Sequence, residues 1–360
     1  MISYIRNRFH VPRLAEKVKK HIHDCMKCFK FAKHNQQILM GSLPKPRVNF
    51  TSAFEHTGID YAGPLTIKAY PGRCKKFLKS YIAVFICLCT KAIHVELVSD
   101  LSSQSFLAAF KRFSARRGRC YRLYSDNGTN FVGASKILLN DVKIAEQTWK
   151  SDIDFNSLGT EWHFIPPSSP HFGGLWEAGV KSIKSHLKKT IGTSILTFEE
   201  MNTVLVQIEA VLNSRPLCSF SKTSDEFNVI TPAHFMIGKP LIAPPEQRFE
   251  LDGKSPLQRW KHIQSTYQRF ATLWKRDYLQ NLQSRPKGLT TTTHYEIGNV
   301  VLLAEDDTPP TLWPIVIIHD IHPGKDGIVR VVTLRNPSGK TFKRPVVKLR
   351  LLPCNHSSEN

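Results

Sequence analysis

An unbroken apolar run from Tyr81 to Cys89 constrains this fold more than any other stretch. It is too short to span a bilayer but suits a buried strand. Ala92–Val98 then alternates apolar and polar residues, as a hairpin partner does. A helix is expected over Ser103–Arg117, with Phe106, Phe110 and Phe113 on one face. Tyr121–Ser125 reads as a short strand that ends at Asp126, where Asn127-Gly128 forces a turn. Ala53–Tyr61 and Glu161–Ile165 are further strands. Helices are expected over Gly174–Thr190 and Thr197–Ser214, the second carrying Leu205, Ile208 and Leu212. The order β-β-β-α-β-α-β-α-α is a mixed α/β layer fold.

The flanks differ in character. Residues 1–35 look helical and basic, with Val11, Leu14, Val18 and His21 at helical spacing, and 36–50 is a proline-containing linker. A second linker holds Pro244, Pro245 and Pro256. Beyond it, Trp260, Ile263, Tyr267, Phe270, Trp274 and Tyr278 mark a long amphipathic helix. Short strands over Asn299–Ala304, Ile315–Ile321, Ile328–Leu334 and Thr341–Leu351 suggest a small all-β barrel. The boundaries are 1–40, 46–240, 241–256 (a linker) and 257–352.

Charge follows this division. The chain carries a formal +21, which fits a polyanionic partner. Residues 1–45 hold ten basic against two acidic side chains, 254–350 sixteen against seven, and 46–253 a nearly balanced 24 against 19. Basic flanks that grip phosphates around a middle that does chemistry are the natural reading. Of eight cysteines only Cys25 and Cys28 have metal-ligand spacing. No signal peptide or membrane span is evident, so an intracellular chain with reduced thiols is expected.

Three acids stand out: Asp60 in Thr57-Gly58-Ile59-Asp60-Tyr61-Ala62-Gly63-Pro64, Asp126 in Ser125-Asp126-Asn127-Gly128-Thr129-Asn130-Phe131, and Glu177 in Gly173-Gly174-Leu175-Trp176-Glu177. Each is expected at the end of an element. Mg²⁺ prefers oxygen ligands, and two ions sharing a few carboxylates can steady both the attacking and the leaving oxygen of a phosphoryl transfer. Asp60 would project from the first strand, Asp126 from the tip of an adjacent one, and Glu177 from a first helical turn toward both. Gly173 and Gly174 would permit close approach. Each acid alone has a plainer reading: Asp126 as a turn residue, Asp60 as a strand-end charge, Glu177 as an acid favoured at a helix start. The conjunction favours metal binding. On the last helix Trp176, Val180, Ile183 and Leu187 form an apolar stripe, and Glu177, Lys181, Lys184 and Lys188 the stripe beside it. Those lysines would set DNA phosphates next to the ions; a solvated basic face is the alternative.

These phrases, with His56-Thr57, Phe164-Ile165-Pro166-Pro167, Pro170-His171-Phe172 and Val211-Leu212-Asn213-Ser214-Arg215-Pro216-Leu217, resemble the integrases of retroviruses and LTR retrotransposons, the Pao/BEL class in particular. The resemblance covers nearly the whole chain. It implies an RNase H-like mixed sheet flanked by helices, a helical N-terminal remnant and a C-terminal SH3-like all-β barrel. By position it implies that Asp60, Asp126 and Glu177 bind Mg²⁺ or Mn²⁺. It implies 3′-end processing of element DNA, then strand transfer into target DNA. It further implies double-stranded DNA and further copies of the chain as partners, and action in the nucleus after passage through the cytoplasm. Asn127 and Asn130 would lie near the ions. The basic residues Lys340, Lys343, Arg344, Lys348 and Arg350 would meet phosphates in a salt-sensitive way, unless the barrel is a protein-interaction module with a solvated basic edge. Trp313 is expected in the core.

Two departures matter. Fifty residues separate Asp126 from Glu177, more than is usual in that superfamily, and the excess is expected at Lys136–Ser157 as a longer helix and loop. The family's His-His-Cys-Cys zinc module keeps only Cys25 and Cys28. His10, His21 and His23 are too close to match its histidines, which would precede Met1, so the chain is expected to start inside that module, and Zn²⁺ only if the module is completed. Two other functions stay open: an inactive or domesticated derivative that binds DNA or chromatin, and a hydrolytic RNase H-like nuclease. The intact acids favour activity. The basic flanks and terminal barrel favour transfer over hydrolysis.

Overall fold

A computed structural model of the chain describes residues 2–6, 9–26, 42–72, 75–149, 154–166, 173–192, 194–219, 227–244, 246–248, 257–283, 295–305 and 308–353. The chain divides into two units, Met1–Pro44 and Lys45–Asn360. The first contains α1 (Ile2–Arg6) and α2 (Leu14–Asp24). Leu14 and Val18 are its buried side chains on α2, while His21 is exposed.

The second unit opens with α3 (Lys45–Val48), followed by β1 (His56–Lys68), β2 (Phe77–Cys87) and β3 (Ile93–Val98). Then come α4 (Ser103–Arg117), β4 (Arg122–Ser125), α5 (Thr129–Thr148), α6 (Phe155–Leu158) and β5 (Glu161–Phe164). Helices α7 (Gly174–Ile191) and α8 (Phe198–Asn213) close the α/β layer. The long α5 and short α6 fall where the extra length before Glu177 was expected.

The sheet order is β3-β2-β1-β4-β5, and only β2 runs against the others. Strand side chains alternate between faces. Accordingly β2 sends Ile82, Val84 and Ile86 toward α7 and α8, and Ala83, Phe85 and Cys87 toward α4 and α5. Both faces are covered, which is why the sequence there reads as one apolar run. Strand β1 extends past the expected Tyr61, because its pairing with β2 shifts register between Ala62 and Leu65 and so takes Gly63-Pro64 out of the ladder. Asp60 therefore lies inside a strand, not at its end.

Edge strand β3 is closed by side chains of α8. The Asn213 amide accepts from the Ile93 N–H (2.8 Å) and donates to its carbonyl (2.7 Å), and Glu209 accepts from the Val95 N–H (2.9 Å). A bare edge would invite strand pairing with another chain.

After β6 (Cys218–Ser219), β7 (Val229–Ile230) and α9 (Pro232–Ile237) comes the long helix α10 (Leu257–Asn281). Ile263, Tyr267, Phe270, Ala271 and Trp274 of α10 join the same hydrophobic core as Trp176, Ile183, Leu205 and Ile208. Trp260 does not; it is 57% exposed, so the expected stripe begins one turn later. The C-terminal strands β8 (Val300–Leu303), β9 (Ile315–Pro323), β10 (Val329–Arg335), β11 (Thr341–Pro345) and β12 (Leu349–Leu351) form one antiparallel sheet, ordered β11-β10-β9-β8-β12. The single strand expected over Thr341–Leu351 is broken by a 3₁₀ turn at Val346–Lys348, just after Pro345. Trp313 packs against Trp274 and Tyr278. No helix among the described residues is long and apolar enough to cross a membrane.

Candidate functional site

The parallel ladder between β1 and β4 pairs His56 with Arg122, Thr57 with Leu123 and Gly58 with Tyr124. Asp60 and Asp126 each lie two residues beyond the last pair, so they stand at the same level on neighbouring strands. With a period of two they continue the face that carries Gly58 and Tyr124. That face receives the start of α7. The ring of Trp176 lies on the bare Cα of Gly58, where a Cβ would come within 2.8 Å of Trp176 Cδ2 and closer still to Cε3. Tyr124 stacks on the same indole, with ring centroids 6.5 Å apart. Trp176 is thus wedged over β1 and β4, and the next residue is Glu177. A glycine inside a strand often marks such close approach, and Gly58 is the signal of it in the sequence.

Electrostatics agree with this placement. The Asp60 carboxyl is pushed up to about 6, by burial first and then by the negative charges of Asp126 and Glu177, against the hydrogen bond from the Tyr61 N–H and the positive charge of Lys184. Asp60 therefore lies within reach of the charges of Asp126, Glu177 and Lys184.

The carboxylates do not converge into a closed cage. Asp60 Oδ1 accepts from the Tyr61 N–H (2.6 Å) and Asp126 Oδ1 from the Gly128 N–H (3.0 Å). Glu177 Oε1 folds over Gly173, in space a Cβ would fill, whereas nothing lies within 4 Å of a Cβ at Gly174. Among the described residues no three His, Cys, Asp or Glu side chains come together closely enough to hold an ion. A half-buried Asp60 with the carboxylates of Asp126 and Glu177 acting on it is nevertheless a donor set suited to a hard divalent cation.

The remaining expected residues divide. Lys181, Lys184 and Lys188 are exposed on the Glu177 face of α7. Asn127 is a strut whose amide donates to the Ile165 carbonyl (2.7 Å), and partly buried Asn130 accepts through its carbonyl from Ser103 Oγ (2.9 Å). On the C-terminal sheet Lys340, Lys343 and Lys348 are exposed. Arg344 lies over the Phe342 ring (4.8 Å) with Glu305 3.4 Å away. Arg350 contradicts its expected phosphate role. It is buried, and its guanidinium donates to the carbonyls of Leu279, Val347 and Leu349, each at 2.8 Å. Cys25 sits at the end of α2, and Cys28 lies outside the described residues.

The phrase from Val211 to Leu217 is structural. Beyond the Asn213 clamp, Ser214 Oγ accepts from Trp313 Nε1 (3.1 Å), and Arg215, buried, donates to the carbonyls of Leu212 and Lys91. Sequence reading also missed a buried cluster of His94, Glu96 and Glu209 with Arg112, Arg116 and Arg117. Its members are scattered over β3, α4 and α8, so no local pattern announces it. A cavity of about 630 Å³ between α5, α6 and the start of β5 contains none of the three acids.

A family model described as a family of unknown function (DUF5641) matches residues 258–352. No curated protein matches the chain. Among solved structures, the simian T-cell lymphotropic virus intasome in complex with PP2A regulatory subunit B56 gamma aligns over 95% of this chain and 92% of its own, at 12% identity and a TM-score of 0.37.

Proposed function

We propose that this chain is the integrase of a Pao/BEL-type LTR retrotransposon, a metal-dependent polynucleotidyl transferase acting on double-stranded DNA from an RNase H-like core. One observation carries the reading. Supporting it, the register of β1 against β4 puts Asp60 and Asp126 at one level, the Gly58–Trp176 contact docks the start of α7 on the same face, and the charges of Asp126 and Glu177 both act on Asp60. Asp60, Asp126 and Glu177 would hold Mg²⁺ or Mn²⁺, which supplies Lewis acidity at the attacking and leaving oxygens when bound.

The chain's own residues do the rest. Lys181, Lys184 and Lys188 neutralise phosphates and fix the DNA beside the acids. Trp176 holds Glu177 at a set distance from Asp60. In the first step water attacks a phosphate near the 3′ end, the terminal nucleotides depart, and a 3′-hydroxyl remains. In the second that hydroxyl attacks a target phosphate and displaces the target's own 3′-oxygen. Neither step needs a covalent enzyme intermediate; positioning and charge stabilisation suffice. Lys343, Arg344 and Lys348 would add sequence-independent grip. Further copies would assemble on paired DNA ends in the nucleus, and Cys25 with Cys28 would supply two ligands of a zinc site.

A second reading, a DNA-binding derivative without catalysis, is favoured by the backbone hydrogen bonds that now occupy Asp60 and Asp126. Strand joining on labelled DNA with Mg²⁺ or Mn²⁺ separates the two. Joined products from the parent and none from Asp126→Asn support the transferase. Equal DNA binding by both proteins with no joined product supports the derivative.

A further inference from the structure

Helix α7 has an apolar buried arc of Trp176, Val180, Ile183 and Leu187. Apolar contacts are non-directional; Trp176 on Gly58 fixes the N-terminal end of the helix, and its far end, ten residues on, needs a constraint of its own. His186 adds direction. Its side chain is 4% exposed; Nδ1 lies 2.8 Å from the Ser182 carbonyl and Nε2 2.9 Å from Asp277 Oδ2 on α10. Phe270, also on α10, meets the imidazole edge-on at 5.8 Å between ring centroids. The other buried polar side chain of the arc, Thr190, bonds back to the carbonyls of His186 and Leu187 within its own helix.

His186 is nine residues from Glu177, about two and a half turns at ~3.6 residues per turn, so the two project from opposite sides of the helix. A tie at His186 thus fixes the roll from the side opposite Glu177 and its lysines. The lever is substantial. At a side-chain radius of about 5–6 Å, a roll of roughly 20° moves the Glu177 carboxylate by ~2 Å, and a 1 Å misplacement can cost about a hundredfold in rate.

We infer that the His186–Asp277 hydrogen bond is a positioning pair, through which the C-terminal segment sets the orientation of α7 and hence of Glu177 and Lys184 relative to Asp60. The inference rests on the transferase reading. It gives part of the segment matched by the family of unknown function, residues 258–352, a role in the site. The same segment is clamped to the core beside α8 by Trp313 on Ser214 and by the Tyr278 hydroxyl on the Pro216 carbonyl.

The test uses the full chain with Asp277→Ala and Asp277→Asn. Asp277 is 48% exposed, so truncating it opens no cavity in the core. Two readouts are needed: the strand-joining rate at saturating DNA, and amide hydrogen exchange across residues 174–191. Expected for Asp277→Ala are a rate at least tenfold lower, an unchanged DNA Kd and faster exchange at the start of α7, with Asn, which keeps an acceptor, returning both toward the parent. Joining by Asp277→Ala within twofold of the parent overturns the inference, as does a loss of rate matched by loss of DNA binding. Faster exchange in a chain whose parent joins no DNA identifies the tie as structural only; the transferase reading has then failed, and the positioning role with it.

Discussion

Trp176 rests on Gly58 with no side chain between the indole and the strand backbone. The contact joins the residue before Glu177 to the residue two before Asp60, so it sets the separation of two acids that the sequence places more than a hundred positions apart.

Gly58→Ala should therefore weaken both the fold and the site. A Cβ there meets the rigid indole, and overpacking of this kind costs about 1–3 kcal/mol. Chemical denaturation should show that loss, and joining should fall by more than the unfolded fraction explains. Adding Trp176→Ala removes the clashing indole, so the double substitution should cost less than the two single ones summed. Strictly additive effects of the two substitutions would mean that the contact is not the source of the loss.

Asp60 gives a pH prediction whose sign is opposite to that of most carboxylates. Its carboxyl is raised from 3.8 to about 6 by burial and then by Asp126 and Glu177. The unfolded chain releases this proton before the folded one does, so stability falls as pH rises from about 4 to 6 and the full penalty persists above. Asp60→Asn should then raise the melting temperature at pH 7, with the gain vanishing toward pH 4. Mg²⁺ should stabilise the parent at pH 7 but not the variant, and joining should fall as pH drops through about 6, where protons compete with the ion. A variant less stable than the parent at pH 7 would sink the argument.

Much of this was legible in the chain. The run 81–89, the phenylalanines of α4 and the stripes of α7 and α8 follow short-range periodicity, which a linear sequence displays directly. What escaped was set by distance. Asp60 looked terminal because Gly63-Pro64 reads as a stop, and only pairing with β2 shows that a register shift carries the strand onward. Trp260 fits the period of α10 but lies outside the arc its neighbours bury. The acids are singled out by their phrases, but how they stand relative to one another depends on the register of β1 against β4 and on an indole docked on a glycine.

The buried histidine cluster predicts a loss of stability in the same direction, but at higher pH. Burial alone would lower the His94 pKa, but hydrogen bonds to Glu209 and Glu96 outweigh it and raise it above 6.5. Its ring nitrogens lie 3.2 Å from Glu209 and 3.1 Å from Glu96, with Arg117 Nε 3.3 Å from Nδ1 and Arg112 and Arg116 on Glu96. A raised histidine pKa contributes stability that is fully present below 6.5 and lost as pH rises through the folded-state value. The parent should lose melting temperature over that range, and His94→Asn should be less stable at pH 6 with a flatter profile above it. Parallel profiles would assign the slope to other groups.

Arg350 and its basic neighbours should separate cleanly, because one faces inward and the others outward. Arg350→Ala removes three charge-assisted hydrogen bonds to carbonyls, one of them from α10, and should cost about 2–4 kcal/mol. Its effect on DNA affinity should be no larger than the unfolded fraction explains. Lys343→Ala and Lys348→Ala touch exposed side chains and should leave stability within about 0.5 kcal/mol. If they contact phosphates, each should lower the slope of log K against log salt by roughly one. Titrating fluorescent duplex DNA at several salt concentrations, beside denaturation of the same proteins, measures both quantities. An Arg350 variant with full stability and a reduced salt slope would mean that its guanidinium faces solvent and phosphate after all, and that the outer face of the C-terminal sheet extends to β12.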